Sequence, residues 1–213
     1  MKKKICFVVS SVMTAKFFLR YHIEKLSNDY DIYLVGNFSE EDIKSIAYFK
    51  LTGIKSIGIE RNISIIKDIN SIKIFVSYIK EMKFDAIHSL APKAGLISAL
   101  SSRIVGTKNR IHIFTGQVWH TKKGLFKFLL KQLDKLIVLL NTKVLVDSHS
   151  QREYLINEGV VNEKNSLVLG NGSISGVDLN RFYPNKIFKK KLRKELNIPS
   201  DAVVFLFMGR INK

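Results

Sequence analysis

The 213-residue sequence has few of the residues that support cross-links and metal sites. It contains one cysteine, Cys6, so no disulfide forms within the chain, and this usage suits a reducing cytoplasm. Its five histidines are scattered, with none of the short spacings that place two ligands on one helical face. We therefore expect no metal site. No apolar run approaches the roughly 18 residues that a membrane-spanning helix requires.

Acidic residues are also scarce. The sequence has 18 aspartates and glutamates against 35 lysines and arginines, which gives a formal net charge of +17. A charge of this size implies attraction to an anionic partner: nucleic acid, a phospholipid surface or a phosphorylated substrate. The charge alone does not choose among these classes. Because 46% of the residues are apolar, a chain of this length buries a substantial core and folds as a globular protein.

Two nucleotide-binding signatures are missing. The sequence has no Walker-type Gly-Lys-Ser/Thr loop, and no Gly-x-Gly-x-x-Gly turn follows the first apolar run. We therefore expect no nicotinamide cofactor. Lysines 2–4 and the apolar run after them resemble the start of a secretory signal peptide, but the run is too short for one. A first buried strand is the better interpretation.

Apolar runs alternate with segments of helical spacing along the chain. The predicted strands are 5–9, 32–35, 54–59, 86–88, 110–114, 143–146 and 166–169. The predicted helices between them are 15–26, 40–49, 65–82, 93–101, 122–140 and 148–158. Strands that are apolar throughout and separated by helices are typical of a parallel sheet covered on both faces. The sequence therefore predicts a doubly wound, Rossmann-like α/β fold.

Ligands of such a sheet bind beyond the carboxyl ends of the strands. The polar and glycine candidates there are Ser10, Ser11 and Thr14 after the first strand, and Thr115, Gly116, Gln117, Trp119 and His120 after the fifth. Trp119 offers a flat apolar face of the kind that sugar rings pack against, or it anchors the loop in the core. His120 is able to bind a hydroxyl or phosphate and to transfer a proton, or it simply lies at the surface.

Glycines cluster after the seventh predicted strand, where Gly170 and Gly172 flank Asn171 and Gly176 follows. A loop of this composition exposes backbone N–H groups and approaches a ligand closely, which suits the rim of a cleft. A tight turn between two elements is the alternative. After the sixth predicted strand, Ser148 is expected to cap the helix that begins there.

The predicted helix 122–140 combines a wide apolar stripe with several lysines. A basic amphipathic helix of this kind lies in the headgroup region of an anionic membrane. The alternative is a helix whose apolar side faces the core and whose basic side is solvated.

Motifs along the chain resemble the amino-terminal half of a retaining glycosyltransferase of the large family that includes bacterial capsule and O-antigen sugar transferases. They are Phe114–Trp119, Val144–Ser148 with Gln151 and Arg152 following, Gly170–Phe182 and Phe207–Arg210. The likeness covers essentially the whole chain. That family is built from two Rossmann-like domains, the GT-B type, which face each other across a cleft. The first domain binds mainly the acceptor and the second mainly the nucleotide-sugar donor.

The resemblance implies a domain organisation and a donor site. Residues 1–182 correspond to the acceptor-binding domain, 183–200 to a basic interdomain segment and 201–213 to the first strand of a donor-binding domain that stops early. Gly170, Asn171 and Gly172 would line the donor cleft, and Gly209 and Arg210 would open the donor domain. In the family that arginine neutralises the donor diphosphate, a role that suits guanidinium geometry.

The sequence departs from the family pattern at two places. The loop with Ser10, Ser11 and Thr14 lacks the usual glycine pair, which leaves the role of these residues open. Thr115 stands where many relatives have a histidine that touches the donor sugar, so no histidine acts at that position. His120 is the substitute candidate for a catalytic group.

The resemblance implies transfer of a sugar from a nucleotide-diphosphate sugar, expected to be a UDP-sugar, to a polyprenyl-diphosphate-linked or other glycan acceptor. No metal or cofactor is expected, and the place of action would be the cytoplasmic face of the membrane. The chain alone should turn its donor over poorly. Two alternatives stay open: a basic nucleic-acid-binding module, and a complete small α/β binding protein in which residues 202–208 add a final strand to the sheet.

Overall fold

A computed structural model of the chain describes residues 1–60 and 64–209, and these contain one seven-stranded sheet in the order β3-β2-β1-β4-β5-β6-β7. All of its strand pairs are parallel. The strands are β1 (Lys3–Val8), β2 (Tyr30–Gly36), β3 (Gly53–Ser56), β4 (Ala86–Leu90), β5 (Asn109–Phe114), β6 (Lys143–Val146) and β7 (Ser166–Leu167). The predicted doubly wound, Rossmann-like α/β fold is confirmed.

Helices connect the strands. They are α1 (Val12–Thr14), a π-helical turn (Ala15–Leu19), α2 (Arg20–Leu26), α3 (Glu40–Ser45), α4 (Ile65–Met82), α5 (Pro92–Val105), a 3₁₀ turn (Val118–Thr121), α6 (Gly124–Leu140), α7 (His149–Asn157) and α8 (Lys186–Glu195). Because the strand order runs outward from β1 in one direction and from β4 in the other, the topological switch point lies between these two strands. Ligands of doubly wound sheets bind at the carboxyl edge near such a point.

The sheet has a core on each face, because side chains of β1 point alternately to the two sides. Phe7 packs in a cluster with Leu19 and Ile23, whereas Val8 packs on the opposite side with Phe75. A further cluster lies under β5 and β6. Cys6 is fully buried, and burial raises the pKa of its thiol. The cysteine is therefore a core residue, as its place in an apolar strand indicates.

Several predicted boundaries differ from those in the structure. The segment predicted as one helix over 15–26 is divided by the π-helical turn. Apolar periodicity does not reveal that turn, because Ala15, Leu19 and Ile23 stay buried through it. The helix predicted over 40–49 ends at Ser45, and strand β7 ends at Leu167 rather than at 169.

The chain divides into two compact units, Met1–Gly176 and the residues from Val177 onward. In the second unit, the carboxamide of Asn185 caps α8 by accepting hydrogen bonds from the backbone N–H groups of Ile187 and Phe188. Residues 201–209 form no strand, and the sheet of the first unit ends with β7. The alternative in which residues 202–208 extend that sheet is therefore not observed, and their assignment to a second domain stays a prediction.

Helix α5 approaches β5 closely at Gly95, and replacing this glycine is expected to destabilise the fold. A Cβ atom at Gly95 would lie 2.5 Å from Cε1 of His112, which is fully buried and bonded through Nδ1 to Ser89. We expect Gly95→Ala to lower the free energy of unfolding by about 1–2 kcal/mol, since overpacking outweighs the gain in helix propensity. Urea denaturation measures the change, with Arg103→Ala on the exposed side of α5 as the control. An unchanged or higher stability of the glycine variant would contradict this packing.

Candidate functional site

Hydrogen bonds connect the loops after β5, β6 and β7 to one another at the carboxyl edge of the sheet. The side chain of Gln151, on α7, joins the first two loops. Its Nε2 donates to Oε1 of Gln117 (3.1 Å), and its Oε1 accepts from the backbone N–H of Asp147 (3.1 Å). The loop after β5 and the loop after β6 are therefore held at a fixed spacing.

Asp147 holds the glycine-rich loop. Its backbone carbonyl accepts from the N–H of Ser173 (2.6 Å), and its carboxylate Oδ1 accepts from the N–H of Ile174 (2.5 Å). On the other side of the loop, Nε2 of His22 lies 2.5 Å from the carbonyl oxygen of Ile174. The loop is therefore anchored both to the end of β6 and to helix α2.

Gly172 is required at the point of closest approach. Its φ is +94°, in the region that favours glycine, and a Cβ atom there would lie 2.6 Å from the carbonyl oxygen of Asp147. Gly170 also has a positive φ, +54°, but open space surrounds it. The backbone N–H groups of Gly170 and Asn171 have no hydrogen-bond partner among the residues that the structure describes. This part of the loop therefore presents unpaired donors at the edge where ligands of such sheets bind.

A groove of about 460 Å³ lies beneath this loop, on the face of the sheet that α2 covers. Its walls are mainly apolar and include Phe7, Ile113, Leu145 and Ile174. His88 also lines it, and Nε2 of this histidine is buried without a partner among the described residues. Burial lowers the pKa of His88 to about 4, so the ring is neutral at physiological pH.

Trp119 is not the exposed platform for a sugar ring that its position after β5 suggests. Only 1% of the residue is exposed, its ring stacks on Tyr154, and its Nε1 donates to Oδ2 of Asp134 (2.7 Å). The ammonium groups of Lys127 and Lys131 each lie 5.7 Å from the ring centroid. The alternative interpretation, a core anchor for the loop, is the one that the structure supports.

The buried carboxyl group of Asp134 gives a pH-dependent prediction. Desolvation raises its pKa to about 6, above its ordinary value of 3.8, while the Trp119 hydrogen bond lowers it. The pKa of Asp134 is higher in the folded state than in the unfolded state. Its contribution to stability is therefore fully present below about pH 4 and is lost as the pH rises through about 6. From pH 4 to pH 8, we expect the free energy of unfolding of Asp134→Asn to rise by about 2–3 kcal/mol relative to that of the unmodified chain. Urea titrations across that range measure it, and a difference independent of pH would contradict the assignment.

The other candidates have identifiable local roles. His120 is exposed, and its Nδ1 lies 2.9 Å from the hydroxyl of Tyr154. Ser11 is the N-cap of α1, since its hydroxyl accepts from the N–H of Thr14, and Ser148 caps α7 in the same way. Their capping hydroxyls are thus already engaged, which leaves Ser10 as the residue after β1 without a capping role.

The remaining candidates lie apart in the chain. Thr115 and Gly116 are exposed at the end of β5, and Gly116 has a φ of +150°. Gly209 is exposed in the second unit, and Arg210 lies outside the described residues. Their proposed roles toward a donor therefore stay predictions. Among the described residues, no group of histidine, cysteine and acidic side chains has the arrangement of a metal site.

Helix α6 buries only one edge of its apolar stripe. Its buried residues are Asp134, Ile137 and Val138. The apolar side chains on the rest of the helix are exposed, among them Leu125, Phe126, Phe128, Leu129, Leu133 and Leu139. We call this set the α6 apolar face. No helix in the described part of the chain is long and apolar enough to cross a membrane.

The sequence places Asp147 at the carboxyl end of the sixth predicted strand and Gln151 in the same motif, but it does not indicate that these two residues hold the loops together. Gln151 and Asp147 belong to the motif Val-Asp-Ser-x-x-Gln, which reads as an ordinary helix start. What gives them their importance is contact with Gln117 and with the glycine loop, 34 and 27 residues away in the chain. The spacing of residues within one loop does not predict contacts between residues so far apart in the chain.

Comparisons with known proteins agree with this architecture. No model of a known protein family matches the chain. The chain is 28% identical over 216 residues to a capsular polysaccharide biosynthesis glycosyltransferase of Staphylococcus aureus, covering 100% of this chain and 55% of that protein. It is 29% identical over 153 residues to an Escherichia coli UDP-Gal:α-D-GlcNAc-diphosphoundecaprenol α-1,3-galactosyltransferase, covering 71% of this chain and 38% of that protein. The chain thus spans about half the length, or less, of these curated relatives.

Solved structures share the fold. A UDP-N-acetylglucosamine 2-epimerase from Rickettsia bellii superposes with a TM-score of 0.65 at 16% identity, over 93% of this chain and 52% of that one. The Anabaena protein HepE in complex with UDP gives a TM-score of 0.61 at 15% identity, over 92% and 50%. The two relatives confirm the resemblance to bacterial sugar transferases that the motifs indicate, and the solved structures show the shared fold. Neither relative is named as a nucleic-acid-binding protein.

Proposed function

We propose that this chain forms the acceptor-binding side of a glycosyltransferase that moves a sugar from a UDP-sugar to a lipid-linked glycan acceptor. The observation that carries the proposal is the glycine-rich loop held by Asp147 at the carboxyl edge of the sheet, where its free N–H groups are available to a ligand. The relatives support it, because one is named as a capsular glycosyltransferase and the other as a UDP-Gal-dependent enzyme acting on GlcNAc-diphosphoundecaprenol.

In this proposal, the chain binds and orients its substrates and supplies hydrogen-bond donors to the departing diphosphate. The N–H groups of Gly170 and Asn171 have no hydrogen-bond partner in the described part of the chain, so they are suited to oxygens that gain negative charge in the transition state. The resemblance implies that Arg210 contributes a guanidinium to the donor diphosphate. We propose that no metal or cofactor takes part, so these groups carry the charge stabilisation.

We also propose that the protein acts at the surface of an anionic membrane, where a lipid-linked acceptor is found. The α6 apolar face supports this, because it exposes large side chains on one helix. Lys122 and Lys123 are exposed directly before the helix begins, and each lysine near an anionic bilayer contributes about 1 kcal/mol of attraction.

The test is transfer of radiolabel from a panel of UDP-sugars to a prenyl-diphosphate-linked GlcNAc, with the E. coli relative as the positive control. We expect the chain alone to turn over at least about 100-fold more slowly than that enzyme, because one wall of the cleft positions the donor poorly. A hybrid that joins the chain to the carboxyl-terminal part of the E. coli relative is expected to transfer sugar. Turnover by the chain alone at the rate of the complete enzyme would contradict the proposal, as would a folded hybrid that is inactive with every donor.

A further inference from the structure

A separate cavity of about 260 Å³ lies between the start of α5, the 3₁₀ turn and α6. It is distinct from the groove beneath the glycine loop, and no residue is shared between the two. Its apolar wall is formed by Leu96, Val118, Trp119, Phe126, Leu130 and Leu133. An apolar cavity of about 150 Å³ holds a benzene molecule, so this one has room for roughly ten carbon atoms.

The polar groups of the cavity are engaged with one another. Oδ1 of Asp68 lies 2.7 Å from the ammonium of Lys93, and the carboxylate of Asp134 accepts from Trp119. A polar ligand would have to break these pairs, whereas an apolar chain would leave them intact. The chemistry of the wall therefore favours a hydrocarbon.

The cavity is continuous with the α6 apolar face. Phe126 and Leu133 belong to both, and Val118 lines the cavity while 54% of it is exposed. The exposed lysines 122 and 123 stand at the same end of the helix and supply positive charge. A ligand with an anionic head and an apolar tail would meet cations and a hydrocarbon-sized cavity next to each other.

We propose that this cavity binds the first isoprene units of the prenyl chain of a lipid-linked acceptor, with the diphosphate near the lysines. The inference rests on the proposed function for the identity of the ligand. It adds a tail-binding site between α5 and α6 to the site at the glycine loop. Binding in this cavity would draw part of the prenyl tail out of the bilayer and fix the height of the acceptor sugar above the membrane.

The experiment uses the single tryptophan, Trp119, which lines the cavity, as the reporter. Farnesyl diphosphate, farnesol and isopentenyl diphosphate are titrated into the purified chain below their aggregation limits. We expect saturable changes in emission with farnesyl diphosphate and farnesol but not with isopentenyl diphosphate, which carries the same head on one isoprene unit. Equal affinity for farnesyl and isopentenyl diphosphate would mean that only the anionic head is bound, and would overturn the inference.

Variants separate the cavity from the rest of the helix. Leu133→Gln places an amide at the cavity rim and is expected to weaken farnesyl diphosphate binding about tenfold, a loss of about 1.4 kcal/mol. Leu130→Phe fills the cavity and should act in the same direction. Leu139→Gln, on the exposed side of α6 away from the cavity, is the matched control and should have no effect. An equal loss with Leu139→Gln would indicate adsorption to the helix surface and overturn the inference.

Failure of this inference differs from failure of the proposed function. If no prenyl compound changes the Trp119 emission while the hybrid enzyme still transfers sugar, the tail site is wrong and the transferase assignment stands. If farnesol binds in the cavity but no hybrid transfers sugar, the cavity is a prenyl site and the transferase assignment fails.

Discussion

Gly172→Ala is expected to lower the free energy of unfolding of the first unit by about 3–4 kcal/mol and to release the glycine-rich loop. Two costs add at this position. An alanine at φ +94° is strained, and its Cβ would lie 2.6 Å from the carbonyl oxygen of Asp147, with Cα of Ser148 at 3.3 Å. Both obstacles are backbone atoms, so neither moves without displacing the end of β6.

Gly170→Ala is the matched control for that variant. Gly170 also has a positive φ, but no atom lies within 4 Å of the position where its Cβ would be. We expect a cost of about 1 kcal/mol, from backbone strain alone. Urea denaturation followed by circular dichroism measures both variants. Equal effects of the two substitutions would contradict the close approach of the loop to Asp147.

The paired substitution of Phe128 and Leu129 by glutamine is expected to weaken binding to anionic vesicles about 100-fold, because each side chain contributes about 1–2 kcal/mol when it leaves water. The two side chains are 55% and 51% exposed, and they lie on the α6 apolar face away from the core residues Ile137 and Val138. Glutamine preserves helix propensity, so the helix itself should persist.

Co-sedimentation with vesicles of phosphatidylglycerol and phosphatidylcholine measures this effect. Ile104→Gln, another exposed apolar residue at the end of α5, is the control and should bind as the unmodified chain does. Vesicles of neutral lipid alone should bind less of the unmodified chain and of the Ile104→Gln control, because Lys122 and Lys123 have no anionic headgroups to attract them. Unchanged binding of the paired variant would contradict membrane docking through α6. A dimer in solution that the paired variant abolishes would instead identify the face as a subunit interface.

The sheet was predictable because its strands are built around short apolar runs that flanking helices must separate. Residues 5–9 and 143–146 need no tertiary information to be recognised. The capping role of Ser148 was predictable for the same reason, since its hydroxyl bonds within the first turn of α7. Local chemistry sufficed wherever the interaction is local.

The orientation of α6 was not predictable in this way. Periodicity shows which residues share a face of a helix but not which face meets the core. The ammonium groups of Lys127 and Lys131 lie 5.7 Å from the centroid of the buried Trp119 ring, so this side of α6 meets the core. That packing turns the apolar face outward. The role of Trp119 depends on its contacts with Asp134 and Tyr154. The sequence of its own loop does not indicate these contacts, because both partners lie elsewhere in the chain.

The most direct test of the account is whether the chain binds an acceptor without a donor. Titration calorimetry of the 213-residue chain would compare a soluble short-chain prenyl-diphosphate-linked GlcNAc with UDP. We expect saturable binding of the acceptor analogue, unchanged by added nucleotide, and binding of UDP at least about tenfold weaker. Tight binding of UDP together with no binding of the acceptor analogue would contradict it.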